Sequence, residues 1–190
     1  MSLAVNPVTV AAADHLQRIR RISRWMAMAC LGMIGVLPLA LIYYWATTGA
    51  SELAVQGNLQ GTAVQANLQA WQRWAAGAVS AVPLAMLLMG VWQARCCFAQ
   101  FAQGRVFTLE ATAYLRRFSG WVAAAALAAI VAGAVVSVLL TLHNPPGMRQ
   151  LSVGISSNHV FILFFVGLIW LMVDIIGQGQ TLAEENERFV

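Results

Sequence analysis

The stretch "SGWVAAAALAAIVAGAVVSVLLTL" (residues 119–142) carries no charged side chain in 24 positions. An α-helix of that length rises about 36 Å, enough to cross a hydrocarbon layer about 30 Å thick. A helix packed inside a soluble domain needs an apolar stripe and keeps a polar face toward water. This segment has no polar face, so it is read as a membrane span.

Working outward, three more windows read the same way. They are "WMAMACLGMIGVLPLALIYYWA" (25–46), "WAAGAVSAVPLAMLLMGVWQA" (74–94), and residues 156–176, which contain "HVFILFFVGLIWLMVDII". Trp25, Tyr43, Tyr44, Trp45, Trp71, Trp74, Trp92 and Trp121 fall at the expected span ends, as amphipathic rings do at headgroup level. The composition agrees: 60% of the 190 residues are apolar and 9% are charged, against roughly 25% charged in soluble domains. The mean hydropathy is +0.71. The expected fold is all-α, a four-helix transmembrane bundle forming a single integral membrane domain over residues 1–190.

All eleven basic residues are Arg, and the formal charge is +4. Their placement beside the spans is explained by membrane orientation, so direct nucleic-acid binding is not expected. Arg18, Arg20, Arg21 and Arg24 precede span one; Arg95, Arg105, Arg116 and Arg117 lie between spans two and three; Arg188 is in the tail. The two other loops hold only Arg73 and Arg149. The positive-inside rule then places both termini and the middle loop in the cytoplasm of a multi-pass inner-membrane protein. The first apolar run is longer than the roughly 7–15 residues of a secretion signal and reads as an uncleaved anchor. Ahead of it, "DHLQRIRRISRW" (14–25) fits either a short helix on the inner leaflet or a charged anchor that sets orientation.

The middle loop, "QARCCFAQFAQGRVFTLEATAYLRRFSGW" (93–121), reads as span two continuing as a helix, a break at Gly104, and a new helix capped by Thr108 with Glu110 in its first turn. This is a cytoplasmic helical hairpin. In the outer loops, "VQGNLQG" and "VQANLQA" (55–70) are two imperfect copies, too few and too short for a repeat architecture. The alternation Leu151, Val153, Ile155 predicts a short β-strand that could pair with "ELAVQG" (52–57).

Small residues mark helix contacts in membranes. They recur as Ala125, Ala129, Gly133 and Ser137 in span three, Gly77, Ala81 and Ala85 in span two, and Gly32 and Gly35 in span one. Pro38 and Pro83 sit near the middle of spans one and two. In span four, Gly167, Trp170, Asp174 and Gly177 share one helical face, which is expected to turn toward the other helices. Asp174 is the acid within a span, and intramembrane acids are functional candidates by default. Its nearest expected partners are Arg95, Arg116 and Arg117, as a structural ion pair or a functional site.

Little else carries chemistry. Cys30, Cys96 and Cys97 match no metal spacing, and His15, His143 and His159 are scattered. No Walker A loop, H-E-x-x-H or G-x-S-x-G motif occurs. No catalytic, cofactor or metal residue is assigned, and a non-enzymatic protein is expected. The tail raises one structural alternative: Thr181 and Glu184 have capping-box spacing, so residues after Gly177 and Gly179 either begin a new helical turn or continue span four.

The middle loop and the tail together resemble a bacterial membrane-protein family, DUF2975. The resembling stretches are "GRVFTLEATAYLRRFSGWV" (104–122) and "GLIWLMVDIIGQGQTLAEENERFV" (167–190). The matching residues are Gly104, Arg105, Phe107, Leu115, Arg116, Gly120, Asp174, Gly179, Leu182, Glu185 and Asn186. The resemblance implies a four-helix inner-membrane protein without assigned activity. Because such proteins are often encoded beside a small helix-turn-helix transcription regulator, it also implies a membrane partner of that regulator. Two other readings stand beside it, a small transporter or channel component using Asp174 and a structural or accessory membrane protein. The partners expected are membrane lipid, a cytoplasmic helix-turn-helix regulator, and a second copy of the chain in a homo-oligomer.

Overall fold

A computed structural model describes residues 7–49, 52, 69–104, 108–142 and 151–187, with side chains described for 17–49, 52, 69–104, 108–142 and 151–179. Among the described residues the chain forms four helices and no strand: α1 (Pro7–Thr47), α2 (Ala70–Ala102), α3 (Leu109–Thr141) and α4 (Ser157–Glu187). Each contains a segment long and apolar enough to cross a membrane: Gln17–Thr47, Ala70–Ala102, Leu109–Thr141 and Ser157–Gly179. That is the layout of a multi-pass membrane protein.

The helices are tied to their neighbours in chain order. α1 packs on α2, α2 on α3 and α3 on α4; among the described residues α1 and α4 do not meet. Among the described residues the four helices of the bundle are therefore arranged as a row in chain order. On α1 and just past its end, the buried stripe runs through Ser23, Cys30, Trp45 and Thr48. The buried residues of α2 serve two neighbours: Ala76, Val91 and Ala94 cluster with Trp45 and Cys30 of α1, while Gln72, Gly90 and Cys97 meet α3. Spacings near multiples of three and four along such stripes are the seam of helices packed at a shallow angle. Two apolar clusters result, Trp45, Ala76 and Leu140 at one end, and Cys30, Val91 and Ala94 toward the hairpin. Large side chains elsewhere, such as Phe161, Phe164 and Phe165, stay exposed, as lipid-facing positions do.

Polar ties fasten the end away from the hairpin. Arg73 donates to the carbonyls of Ala46 (3.3 Å) and Thr48 (2.8 Å), covering acceptors at the carboxyl end of α1. Gln72, buried at 2% exposure, accepts from the Gln69 amide (3.2 Å) and donates to the Leu139 carbonyl (3.1 Å). One side-chain amide thus caps α2 and binds it to α3.

Several expectations need correction. Helix α1 runs unbroken from Pro7, so 14–25 is not a separate surface helix. The small-residue faces are only partly contact faces: Gly32, Gly35, Gly133 and Gly167 would each have open space around an added methyl group. On α4 the packed face is Ile162, Val166, Ile169 and Val173, while Trp170 and Asp174 are exposed. The reason is that glycines lower the cost of close approach only where another chain segment arrives. Gly77 and Gly90 do meet neighbours, an added methyl carbon standing 3.4 Å from Trp45 at the first and 3.3 Å from Trp121 at the second.

The expected strand at Leu151, Val153 and Ile155 is absent: residues 151–156 have no regular structure. The Ser152 amide instead donates to Ser137 Oγ on α3 (3.0 Å), which spends a ladder donor on a side chain. The suggested partner, 52–57, lies almost wholly outside the described residues, as do both copies of the loop repeat. Helix α4 accordingly starts deep. Asn158 and His159 share a cavity of about 250 Å³ with Pro83 and Ala129, near the middle of α2 and α3. Ser156 Oγ and His159 Nδ1 lie 2.8 Å apart at that first turn.

Candidate functional site

At the hairpin, the local chemistry explains the turn. Helix α2 closes with amides of Gln103 and Gly104 donating to the carbonyls of Gln100 and Phe101, both at 3.0 Å. Gly104 then takes φ +84°, a left-handed conformation that side chains with a Cβ resist. Thr108 caps α3, accepting from the Ala111 amide at 3.3 Å, and Glu110 stands in the first turn. The two arms are stitched by Gln100 Nε2 donating to Glu110 (3.4 Å) and by the Cys97 thiol against the Ala111 carbonyl (3.6 Å). Helices α2 and α3 therefore pack along each other from these facing ends, with residues 105–107 between them outside the described residues. Arg20 of α1 covers the tip at Gly104, the guanidinium lying 2.8 Å from where a Gly104 methyl group would stand.

The second feature is a cleft of about 450 Å³ between α3 and α4, lined by Leu109, Thr112, Ala113, Arg116, Val173, Asp174, Gly177 and Gln178. Of the three arginines expected near Asp174, Arg116 shares its cleft. Arg95 instead stacks over the Trp92 ring at 4.9 Å, a cation–π contact that occupies it elsewhere. Arg117 is exposed and does not line the cleft. Among the described residues Asp174 forms no ion pair within 4.0 Å, and neither does Arg116. The two charges border one cleft without neutralising each other.

The remaining motif residues divide by place. Leu115 and Gly120 are half-buried on α3 and Gly179 is exposed on α4. The backbone carries Leu182, Glu185 and Asn186 as a direct continuation of α4 through Glu187, so no new turn begins after Gly179. Arg105 and Phe107 lie outside the described residues. Sequence reasoning missed Arg20 at the tip and the Gln100–Glu110 stitch. A signal for the second is present, since a hairpin turning at Gly104 brings positions 100 and 110 opposite each other.

No curated protein and no solved structure matches the chain. The family model described as a protein of unknown function, DUF2975, matches residues 58–190, about seven-tenths of the chain. That match takes in the hairpin turn at Gly104, Arg116 and the Asp174 cleft, and the chain belongs to the DUF2975 family.

Proposed function

We propose that this protein is a non-enzymatic component of the bacterial inner membrane, with both termini and the hairpin in the cytoplasm, that presents its helical ends to a soluble partner. The observation that carries this reading is the reach of the helices at the hairpin end. There α1 extends back to Pro7 and α4 on to Glu187, well past the apolar windows 25–46 and 156–176, and α2 runs on past Ala94 to Ala102. Ordered helix outside an apolar slab is surface that a membrane span does not need.

The partner class follows from the family resemblance, a small helix-turn-helix regulator. Nine of the eleven arginines belong to this end, and the extension of α4 adds Glu184, Glu185 and Glu187, so the platform offers both signs of charge. The test is a photo-crosslinking residue placed at Gln103 or at Glu187 in cells that co-express the regulator encoded beside the gene. A crosslink to the regulator from both positions is the expected result, with the one from Gln103 weakened when residues 178–190 are removed. Crosslinks confined to the chain's own helices would refute the partner role.

A further inference from the structure

We propose that the cleft between α3 and α4 binds the headgroup of a zwitterionic phospholipid carrying phosphoethanolamine, with Arg116 taking the phosphate and Asp174 the ammonium. Three observations lead there, none of which depends on the soluble partner.

The first is the direction in which the cleft opens. All of its lining residues come from α3 and α4, and α4 packs on α3 alone among the described helices. A groove between two adjacent spans at the end of a row opens sideways, toward lipid. The second is depth. Arg116 stands three residues before the uncharged run that begins at Ser119, and Asp174 stands two residues before the end of the apolar window at 176. On α2 the Trp92–Arg95 stack lies at a similar level, between the Gly90–Trp121 and Cys97–Ala111 contacts that bracket Arg116 on α3, and aromatic rings and long cationic side chains of this kind meet headgroups.

The third is charge. An isolated carboxylate and an isolated guanidinium both favour a counter-charge at a low-dielectric boundary. Here each borders the cleft, yet they form no ion pair with each other. A ligand carrying one anion and one cation a few bonds apart satisfies both. Guanidinium matches phosphate through paired N–H donors, and a primary ammonium gives the carboxylate N–H donors that a quaternary one lacks. A purely anionic headgroup would meet Arg116 but be repelled by Asp174. The apolar floor of Leu109, Ala113 and Val173 suits the glycerol and upper acyl carbons. The volume of about 450 Å³ falls within the roughly 300–1,000 Å³ of small-molecule sites.

The experiment uses the full chain, purified from vesicles made of equal parts phosphatidylethanolamine, phosphatidylcholine and phosphatidylglycerol, with retained lipid read by native mass spectrometry. The wild type is expected to enrich phosphatidylethanolamine about tenfold over the other two, the effect of about one charge-assisted hydrogen bond. Asp174→Asn should lose the preference for phosphatidylethanolamine over both other lipids, whereas Arg116→Gln should lower the total lipid retained, because all three headgroups share the phosphate. Arg116→Lys should retain an intermediate amount, and Arg117→Gln, outside the cleft, should behave as wild type. Lipid retained by the wild type in the proportions of the vesicle would overturn the proposal. So would an unchanged preference in Asp174→Asn, or unchanged total retention in Arg116→Gln.

Discussion

Gly104 concentrates two constraints in one residue. Its φ of +84° penalises any Cβ, and the Arg20 guanidinium occupies the space a methyl group would need. Gly104→Ala should therefore lower unfolding stability by about 1–2 kcal/mol, read as a fall in the thermal midpoint in detergent. Combining it with Arg20→Ala separates the parts: relief of the contact should recover only a fraction, because the backbone cost remains. The break itself is legible in the sequence, as is the Thr108 cap, since both follow from local chemistry. Arg20 is not. Its position depends on α1 continuing as helix well before the apolar run, and a charged segment ahead of a span reads equally well as an anchor.

At the level of elements, lengths are readable and faces are not. Apolar run length maps directly onto a membrane's thickness, so all four spans can be read from composition along the chain. Which side of a helix meets its neighbour depends on what that neighbour presents, and glycine spacing on α1, α3 and α4 points partly to open sides. The strand expected at 151–155 fails for the same reason. Alternation is present, but the Ser152 amide is taken by Ser137. Ser137→Ala should leave that amide unpaired beside α3 and cost about 1–2 kcal/mol, measured as faster proteolysis within 151–156 and a lower thermal midpoint. Gln72→Leu removes two ties at once, to the amide of Gln69 and to the carbonyl of Leu139. It should destabilise by about 1–2 kcal/mol, read as the same fall in midpoint. Ala78→Leu, on the exposed side of α2, should be close to neutral and serves as the control.

For the whole molecule, the arginine distribution makes an orientation prediction. Alkaline phosphatase fused near Gln60 should be active and the same enzyme fused near Gly104 inactive; the opposite pattern would invert every assignment of sides. The candidate site is half legible at this scale. Asp174 and Arg116 stand out in the sequence as charges at the edge of spans four and three, but the lack of an ion pair between them follows from how α4 seats on α3, which no local pattern encodes.

The sequential packing of the helices also bears on how the protein is made. Since α2 rests on α1, α3 on α2 and α4 on α3, every helix after the first leaves the ribosome to meet a partner that has already been synthesised. None of these later spans has to wait in the bilayer before it can begin to bury its packed stripe. Assembly can keep pace with translation, and the last helix to arrive is the one that completes the cleft holding Arg116 and Asp174.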